Sequence, residues 1–337
     1  MIALSRMIAI AGIGIGVSIG AVGIAQAQEV TLRLALSSSK PHPFNTAADL
    51  FAAKVDELSE GSILIDIFPD RQLGDVKELT EGVRFGTVDM TINSSSAMAD
   101  QIPAIEALQL PFLIDSYAQF ADAATTPEAQ ALYADLESSG AIALTIYEGG
   151  MRHFLTVDKK IEVMEDFSGL KTRVAPVRLH LDIWNAVGVN PTPMAYGEVY
   201  TALETQTIDA VETNISSIEA EKYNEVAKEV LLTGHYMWPG LLMMNKAKYD
   251  SLTPEQQEIL QQAALETVKP QIEALQQFDE DLMVKLEQED GLSFATMSPE
   301  LKAELREAVA PVYEQYVTNH PAIQPFLDAV DALRESN

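Results

Sequence analysis

The sequence predicts an α/β protein: two α/β domains with a long kinked helix passing across both. Three observations carry this. The first half alternates short apolar strands with helices on brief loops. A second set of the same kind follows it. A capped helical stretch too long for either set comes after both.

VTLRLAL (Val30–Leu36) alternates apolar and polar residues and runs into the turn-rich SSSKPHP. A helix is expected from Asn45, as N-cap, to Leu58, with Ala48, Phe51, Ala52 and Val55 on its apolar face. ILIDIF (Ile63–Phe68) is the next strand, Pro69–Gly74 a loop, Val76–Phe85 a helix stopped by Gly86, and Val88–Asn93 a third strand. The order β-α-β-α-β with short loops implies a largely parallel sheet.

AIALTIYEGG (Ala141–Gly150), with a strand over Ile142–Tyr147, precedes the second set. Strands are expected at Leu170–Ala175, Val189–Met194 and Ala210–Thr213, and helices at Arg178–Val187 and Tyr196–Gln206. Thr253-Pro254-Glu255-Gln256 is a capping-box start with proline at the first helical position. The helical pattern then runs to about Glu289, and Pro270 predicts a kink in it. Ser298-Pro299 opens another helix in the same way. No internal repeat and no low-complexity tail interrupts this order.

The first 27 residues point to export. Arg6 is the only charge before Ala27, an apolar run spans Met7–Ala25, and Ala25-Gln26-Ala27 is a small-x-small cleavage site. This reads as a secretory signal peptide, removed to leave Gln28–Asn337. The alternative, a retained transmembrane anchor over Ile8–Ala25, fits the glycine- and alanine-rich run and its immediate cleavage site less well. The glycine-rich GIGIGVSIG in this run follows no strand and is not a nucleotide loop.

Composition excludes several classes. The chain has no cysteine, hence no disulfide framework and no thiolate chemistry. With 22 Lys+Arg against 50 Asp+Glu and a formal net charge of -28, it is unsuited to nucleic acid or anionic membranes. At 47% hydrophobic it can bury a full core. No nucleophile elbow, phosphate loop or paired-histidine zinc motif is present, and His42, His153, His180, His235 and His320 are scattered. No metal and no cofactor is expected.

Against this acidic background one window is basic. From Arg152 to His180 stand six basic residues (Arg152, Lys159, Lys160, Lys171, Arg173, Arg178) and four acids (Asp158, Glu162, Glu165, Asp166). Arg152 follows YEGG, and Arg173 sits inside the strand-like LKTRVA. Ligands of open α/β sheets bind beyond the carboxyl ends of strands. A guanidinium offers a rigid fork that matches a carboxylate. Periodicity alone leaves two readings of Arg173 open: an anion clamp, or a structural salt bridge with a nearby acid.

GLKTRVAP (Gly169–Pro176), followed by VGVNPTPMAYGEVYTALETQTIDAVETN, resembles the solute-binding proteins of tripartite ATP-independent periplasmic (TRAP) transporters. The PTPM-aromatic-x-EVYTAL core and the IDAVE strand carry the likeness. QLGDVKEL (Gln72–Leu79), FGTVDM (Phe85–Met90), LPFL (Leu110–Leu113), MRHFLT (Met151–Thr156) and NKAKYDSLTPEQQ (Asn245–Gln257) extend it over the whole mature chain.

The resemblance implies a periplasmic binding protein-like fold: two α/β domains joined by hinge strands, with a long helix spanning both and a ligand cleft between. It places one domain at residues 28–150 with about 238–277, the other at 151–237 with about 278–337. It implies that Arg173 forms a salt bridge to a ligand carboxylate, that Arg152 assists, and that Tyr196 packs on the ligand. The family's asparagine after the IDAVE glutamate is replaced by Thr213, with Asn214 next, so either residue is a candidate polar contact. Ser94, Ser95 and Ser37 stand at strand ends and are further candidates. Glu148, Trp184, Trp238 and His42 complete the set, Trp184 with a competing core reading and His42 with a competing turn reading.

The expected function is that of a periplasmic, monomeric binding protein. It would deliver a small organic acid anion to the small and large membrane subunits of a TRAP transporter by hinge closure. A hydroxylated sugar acid, a hexuronate or aldonate, is preferred because of the hydroxyls and aromatics at the expected site. A C4-dicarboxylate, with Arg152 as second cation, a keto acid and a sulfonate remain alternatives. From another class, an exported lyase-like enzyme on an acidic sugar would need an acid and a base near Arg173, and Glu148 with His42 is the pair on offer.

Overall fold

The computed structural model describes residues 30–336, so the leader expected over residues 1–27 lies outside the described residues. Ten strands are described: β1 (Val30–Ala35), β2 (Ile63–Phe68), β3 (Met90–Ser94), β4 (Ala141–Thr156), β5 (Lys171–Val174), β6 (Asn190–Pro193), β7 (Ala210–Asn214), β8 (Glu229–Leu232), β9 (Met237–Asn245) and β10 (Ser293–Thr296). The helices are α1 (Pro43–Ser59), α2 (Val76–Phe85), α3 (Tyr117–Ala124), α4 (Pro127–Ala131), α5 (Arg178–Val187), α6 (Val199–Glu204), α7 (Ile215–Ala220), α8 (Lys246–Asp250), α9 (Pro254–Glu266), α10 (Val268–Asp290), α11 (Pro299–Asn319) and α12 (Gln324–Ser336).

The strand order β2-β1-β3-β9-β4-β7-β5-β6, with β8 also on β4 and β10 on β8, resolves into two lobes around β4. In the first, β1 lies parallel between β2 and β3, and β9 runs antiparallel between β3 and β4. In the second, β5 lies parallel between β6 and β7, and β4 is antiparallel to β7 and β8. The carboxyl ends of the parallel strands in each lobe face the other lobe, the place where open α/β sheets take ligands.

β4 differs from expectation. It does not end at Tyr147 but runs through Gly149-Gly150 to Thr156. Its first half pairs with β9, and Arg152–Thr156 pairs with β7, with a register irregularity between Glu148 and Met151. The glycines are needed at the crossing. A Cβ on Gly149 would lie 2.9 Å from the Phe44 ring and 3.0 Å from the Trp238 carbonyl, and Gly150 holds φ +130° against Asn214. β8, β9 and β10 are strands that patterning did not mark. β9 is buried at every position, so it lacks the alternation of a half-exposed strand.

The long helix is present, with its break displaced. α9 opens on the Thr253 capping box and ends at Glu266; α10 begins at Val268, so the break sits at Thr267 and Pro270 lies in the first turn of α10. A proline lacks the N–H and crowds the carbonyl four residues back, so the interruption falls on its N-terminal side. The Thr267 hydroxyl, bonded to the Ala263 carbonyl at 2.7 Å, helps close α9. α10 then spans about 34 Å. Its Val268 and Ile272 join the larger apolar core, and its Leu282 and Leu286 join the second core under β7. α11 packs on α5, whereas α12 packs on α3 and α4.

The first helix starts earlier than expected. His42, not Asn45, is the N-cap, and its Nδ1 accepts from the Phe44 N–H at 3.2 Å. Asn45 instead donates to the Ser39 carbonyl at 2.9 Å and to Ser38 Oγ at 3.2 Å, which ties the helix start to the turn after β1.

Candidate ligand-binding cleft

Arg173 leaves β5 near its carboxyl end and is 4% exposed. Its Nε and one terminal nitrogen both donate to the Met194 carbonyl, at 3.2 and 2.9 Å. Among the described residues no carboxylate pairs with it, so the salt-bridge reading of Arg173 finds no acid. Burial pulls its basicity below the ordinary guanidinium value, although Tyr223 and Glu212 act the other way. A guanidinium stays protonated in proteins, so the position holds a buried cation without a counter-charge.

Arg152 is different. Its Nε donates to Glu212 Oε2 and a terminal nitrogen donates to the Glu212 carbonyl. His235 Nε2 stands 3.6 Å from the same carboxylate oxygen. Burial opposes ionisation of Glu212, but Arg152, His235 and His180 together outweigh it and hold the carboxyl well below its usual range. The charge of Arg152 is therefore matched within the protein. Its guanidinium also lies 5.2 Å from the centre of the Trp238 ring.

An aromatic wall joins the lobes. Trp238, at the start of β9, meets His42 and Phe44 from the first lobe at 5.1 Å and Tyr196 from the second at 5.5 Å. Its indole N–H donates to Ser94 Oγ at 3.0 Å. Tyr196 donates to Ser217 Oγ at 3.1 Å, with Arg71 over its ring. Ser94 also contacts Ser96 Oγ at 2.9 Å, while the buried Ser95 hydroxyl has no partner. Ser37, just past β1, is buried.

Thr213 and Asn214 face opposite ways, because strand side chains alternate. Asn214 is in register with Arg152 and shares its side of the sheet; Thr213 shares the side of Val211, the register partner of Arg173. The Asn214 amide donates to the Gly149 carbonyl and to Ser216 Oγ, leaving its buried Oδ1 without a partner.

Two of the residues expected at the site take other places. Trp184 is fully buried among Phe154, Phe167 and His235, so it is core and does not stack on a ligand. Glu148 is fully buried at the β4 crossing, where Oε1 accepts from the Gly150 and Trp238 N–H groups, each at 2.8 Å. Burial pushes its pKa up to about 8. The acid–base pair of Glu148 with His42 is not assembled: Glu148 is bonded to the crossing and His42 to its helix start, and burial, then Arg152, lower His42 to about 3. Among the described residues no His/Asp/Glu group is arranged to hold a metal, and no helix is long and apolar enough to cross a membrane.

Contacts also close the rim. Arg71, in the loop after β2, pairs with Glu221, just past α7. The Ser39 N–H and hydroxyl reach the same carboxylate at 3.0 and 2.9 Å. The Gly197 N–H donates to Asp75 at 3.0 Å.

Residues 34–319 match the family described as bacterial extracellular solute-binding protein, family 7. The chain belongs to this family. Among relatives of this family 7 binding protein is the 2,3-diketo-L-gulonate-binding periplasmic protein YiaO of Escherichia coli. It is 36% identical over 220 residues, 65% of this chain and 67% of the relative. The sugar acid binding protein of Advenella mimigardefordensis, solved with galactonate, superposes with a TM-score of 0.86 at 28% identity, covering 91% of this chain and 99% of that one. A TRAP solute-binding protein of Xanthobacter autotrophicus, solved with β-D-galacturonate, gives 0.83 at 30% identity, covering 89% and 99%. The two-lobed fold and the TRAP solute-binding class expected from the sequence are thus found.

Sequence reasoning missed Glu212, Arg71 and Glu221, the charges that pair across and beside the cleft. Arg71 was accessible in principle, since its loop follows the carboxyl end of a strand. Glu212 stood inside the IDAVE motif but 60 residues from Arg152.

Proposed function

We propose that this binding protein captures a sugar acid monoanion, a hexuronate or an aldonate, and clamps its carboxylate on Arg173. The observation that carries this reading is a buried guanidinium with two hydrogen bonds to a carbonyl and no acid beside it. Removing such a cation from water is costly unless an anion arrives. Arg152 and Arg71 are matched by Glu212 and Glu221, so the cleft offers one unmatched positive charge and suits one negative charge. This count favours a monocarboxylate over a C4-dicarboxylate. Tyr196 and Trp238 form the wall on which the sugar carbons pack, and Asn214 Oδ1, Thr213, Ser94, Ser95 and Ser37 are the nearby polar groups; His42 adds an unpartnered Nε2. Galactonate, galacturonate and glucuronate, bound by structures of this family, have the chemistry required.

The work done is carriage, not turnover. Lobes of residues 28–150 with about 238–277, and 151–237 with the helices after about 278, close on the ligand in the periplasm after the leader is removed; α12, which packs on α3 and α4, returns to the first lobe. They open to the small and large membrane subunits of a TRAP transporter, the protein acting as a monomer. The test is a thermal-shift screen of the mature protein against uronates, aldonates, C4-dicarboxylates, keto acids and sulfonates. A ligand at 100 times its Kd adds about 2.7 kcal/mol. Uronates or aldonates are expected to shift the midpoint, and Arg173→Ala to abolish the shift at a cost of about 2–5 kcal/mol in binding. A response to dicarboxylates alone refutes the ligand class.

A further inference from the structure

Two polar side chains near Arg173 have no partner and no part in the carboxylate clamp. His180 lies in the first turn of α5, the helix that follows β5, and is 2% exposed, yet neither ring nitrogen is hydrogen-bonded. Its ring stacks on Tyr236 with centroids 5.1 Å apart and planes 16° from parallel, which fixes its orientation. Arg152, Arg173 and Glu212 are its charged neighbours. Tyr223, just past α7, is 1% exposed; its ring is buried in the second core, and its hydroxyl has no partner. It senses Glu221, Arg173, Arg71 and Arg152.

An unpaired buried polar group costs about 1–3 kcal/mol. Such groups are few in a native structure and call for an explanation. Here two of them lie near the one unmatched cation and come from opposite sides of the sheet. Trp184, one turn after His180, packs with Phe154 on the Arg152 side; Tyr223 belongs to the same apolar core as Val211, which is on the Arg173 side.

We propose that His180 and Tyr223 hydrogen-bond hydroxyl groups on the carbons nearest the clamped carboxylate, and so make the site selective for hydroxylated over deoxygenated acids. Donor and acceptor chemistry supports the choice of hydroxyl. Burial, with the two arginines, lowers His180 to about 3, so its imidazole is neutral, with one N–H and one lone pair. Burial holds Tyr223 well above the ordinary phenol value, leaving a neutral hydroxyl that both donates and accepts. A sugar hydroxyl donates and accepts as well, and satisfies either group. A second carboxylate only accepts, so it can use the N–H and the O–H but leaves the imidazole lone pair without a donor.

The inference rests on Arg173 as carboxylate clamp, and the test separates the two. Calorimetric titration with D-galactonate and 2-deoxy-D-galactonate is made on the wild type, Tyr223→Phe, His180→Leu and Arg173→Ala. The wild type is expected to prefer galactonate by tenfold or more. Each of Tyr223→Phe and His180→Leu is expected to weaken galactonate about tenfold and to narrow that preference. Thermal unfolding without ligand is expected to show no loss for Tyr223→Phe, which only removes an orphaned hydroxyl; a structural role would lower the midpoint. Unchanged galactonate affinity in Tyr223→Phe and His180→Leu, with binding lost in Arg173→Ala, overturns this inference and leaves the clamp standing. Normal binding by Arg173→Ala overturns the clamp itself. A wild type that binds neither acid, or both equally, overturns the assignment of hydroxyl readers.

Discussion

Arg71 and Glu221 form an ion pair that joins the two lobes across the mouth of the cleft. Arg71 and its neighbour Asp70 hold left-handed backbone, at φ 59° and 57°. For residues with a side chain this costs about 1–2 kcal/mol each. The cost is sustained where the loop presents the guanidinium to Glu221, whose other oxygen holds Ser39. The pair is thus a clasp between the two lobes.

Removing the clasp without changing net charge isolates its role. The double variant Arg71→Met with Glu221→Gln is expected to release ligand about tenfold faster, with association nearly unchanged, since interface changes act mostly on dissociation. Stopped-flow fluorescence of Trp238 reads both rates. An unchanged dissociation rate would show that the rim contacts do not hold the lobes together.

Glu212 keeps Arg152 from being a second free cation. Glu212→Gln keeps the shape and removes the charge, leaving Arg152 buried and unmatched. Breaking a buried pair on one side costs about 3–5 kcal/mol, measurable by urea unfolding. The same variant is expected to shift ligand preference from uronates toward C4-dicarboxylates in competition titrations. Unaltered preference would mean that charge count does not select the ligand.

Stability is expected to fall as pH rises from about 6.5 to 8. Burial raises Glu148 to about 8, and Glu106 and Asp279 to about 7. A carboxyl raised in the folded state binds its proton more tightly folded than unfolded, so its contribution is complete at low pH and lost as pH passes the folded value. His42, His153 and His180, lowered to about 3, are neutral in the folded state throughout this window, while unfolded they are half charged at its lower end and neutral by its upper end, which offsets part of the slope near 6.5. They act chiefly at lower pH, where their contribution falls as pH drops below 6.5. Glu148→Gln is expected to flatten the alkaline slope by about 1 kcal/mol per pH unit. Urea midpoints across the range check the sign.

Gly149→Ala adds a methyl group where the Phe44 ring and the Trp238 carbonyl already stand within 3.0 Å. Overpacking of this kind costs about 1–3 kcal/mol. Because Phe44 and Trp238 also form the aromatic wall, ligand affinity is expected to fall with stability; calorimetry and thermal unfolding on one sample test both.

Much of the frame was legible in local pattern. Thr253 and Ser298 announced α9 and α11 through capping chemistry that involves near neighbours only, and α5 was found at the expected Arg178–Val187. Arg173 stood out as a basic residue in a strand of an acidic chain. What stayed hidden depends on distant partners. Whether Arg152 is free or matched is decided by Glu212, and whether Trp184 meets ligand or core by Phe154 and Phe167. β9 escaped notice because a strand buried on both faces carries no alternation. His180 and Tyr223 carry no mark in the sequence; the lack of any partner is a property of the folded surroundings.

The crossing of β4, the return along β9 and the passage of α10 weave each lobe from separated stretches of chain. Neither lobe is therefore a segment that can be cloned by itself. Cutting after Gly150 would strip the first sheet of β9, the strand between β3 and β4, and leave β9 in the other piece without Ala141–Glu148, its partner along β4. The first sheet is incomplete until β9 ends at Asn245, and the second until β10 ends at Thr296, so the amino-terminal strands of both must wait for partners made much later in the chain.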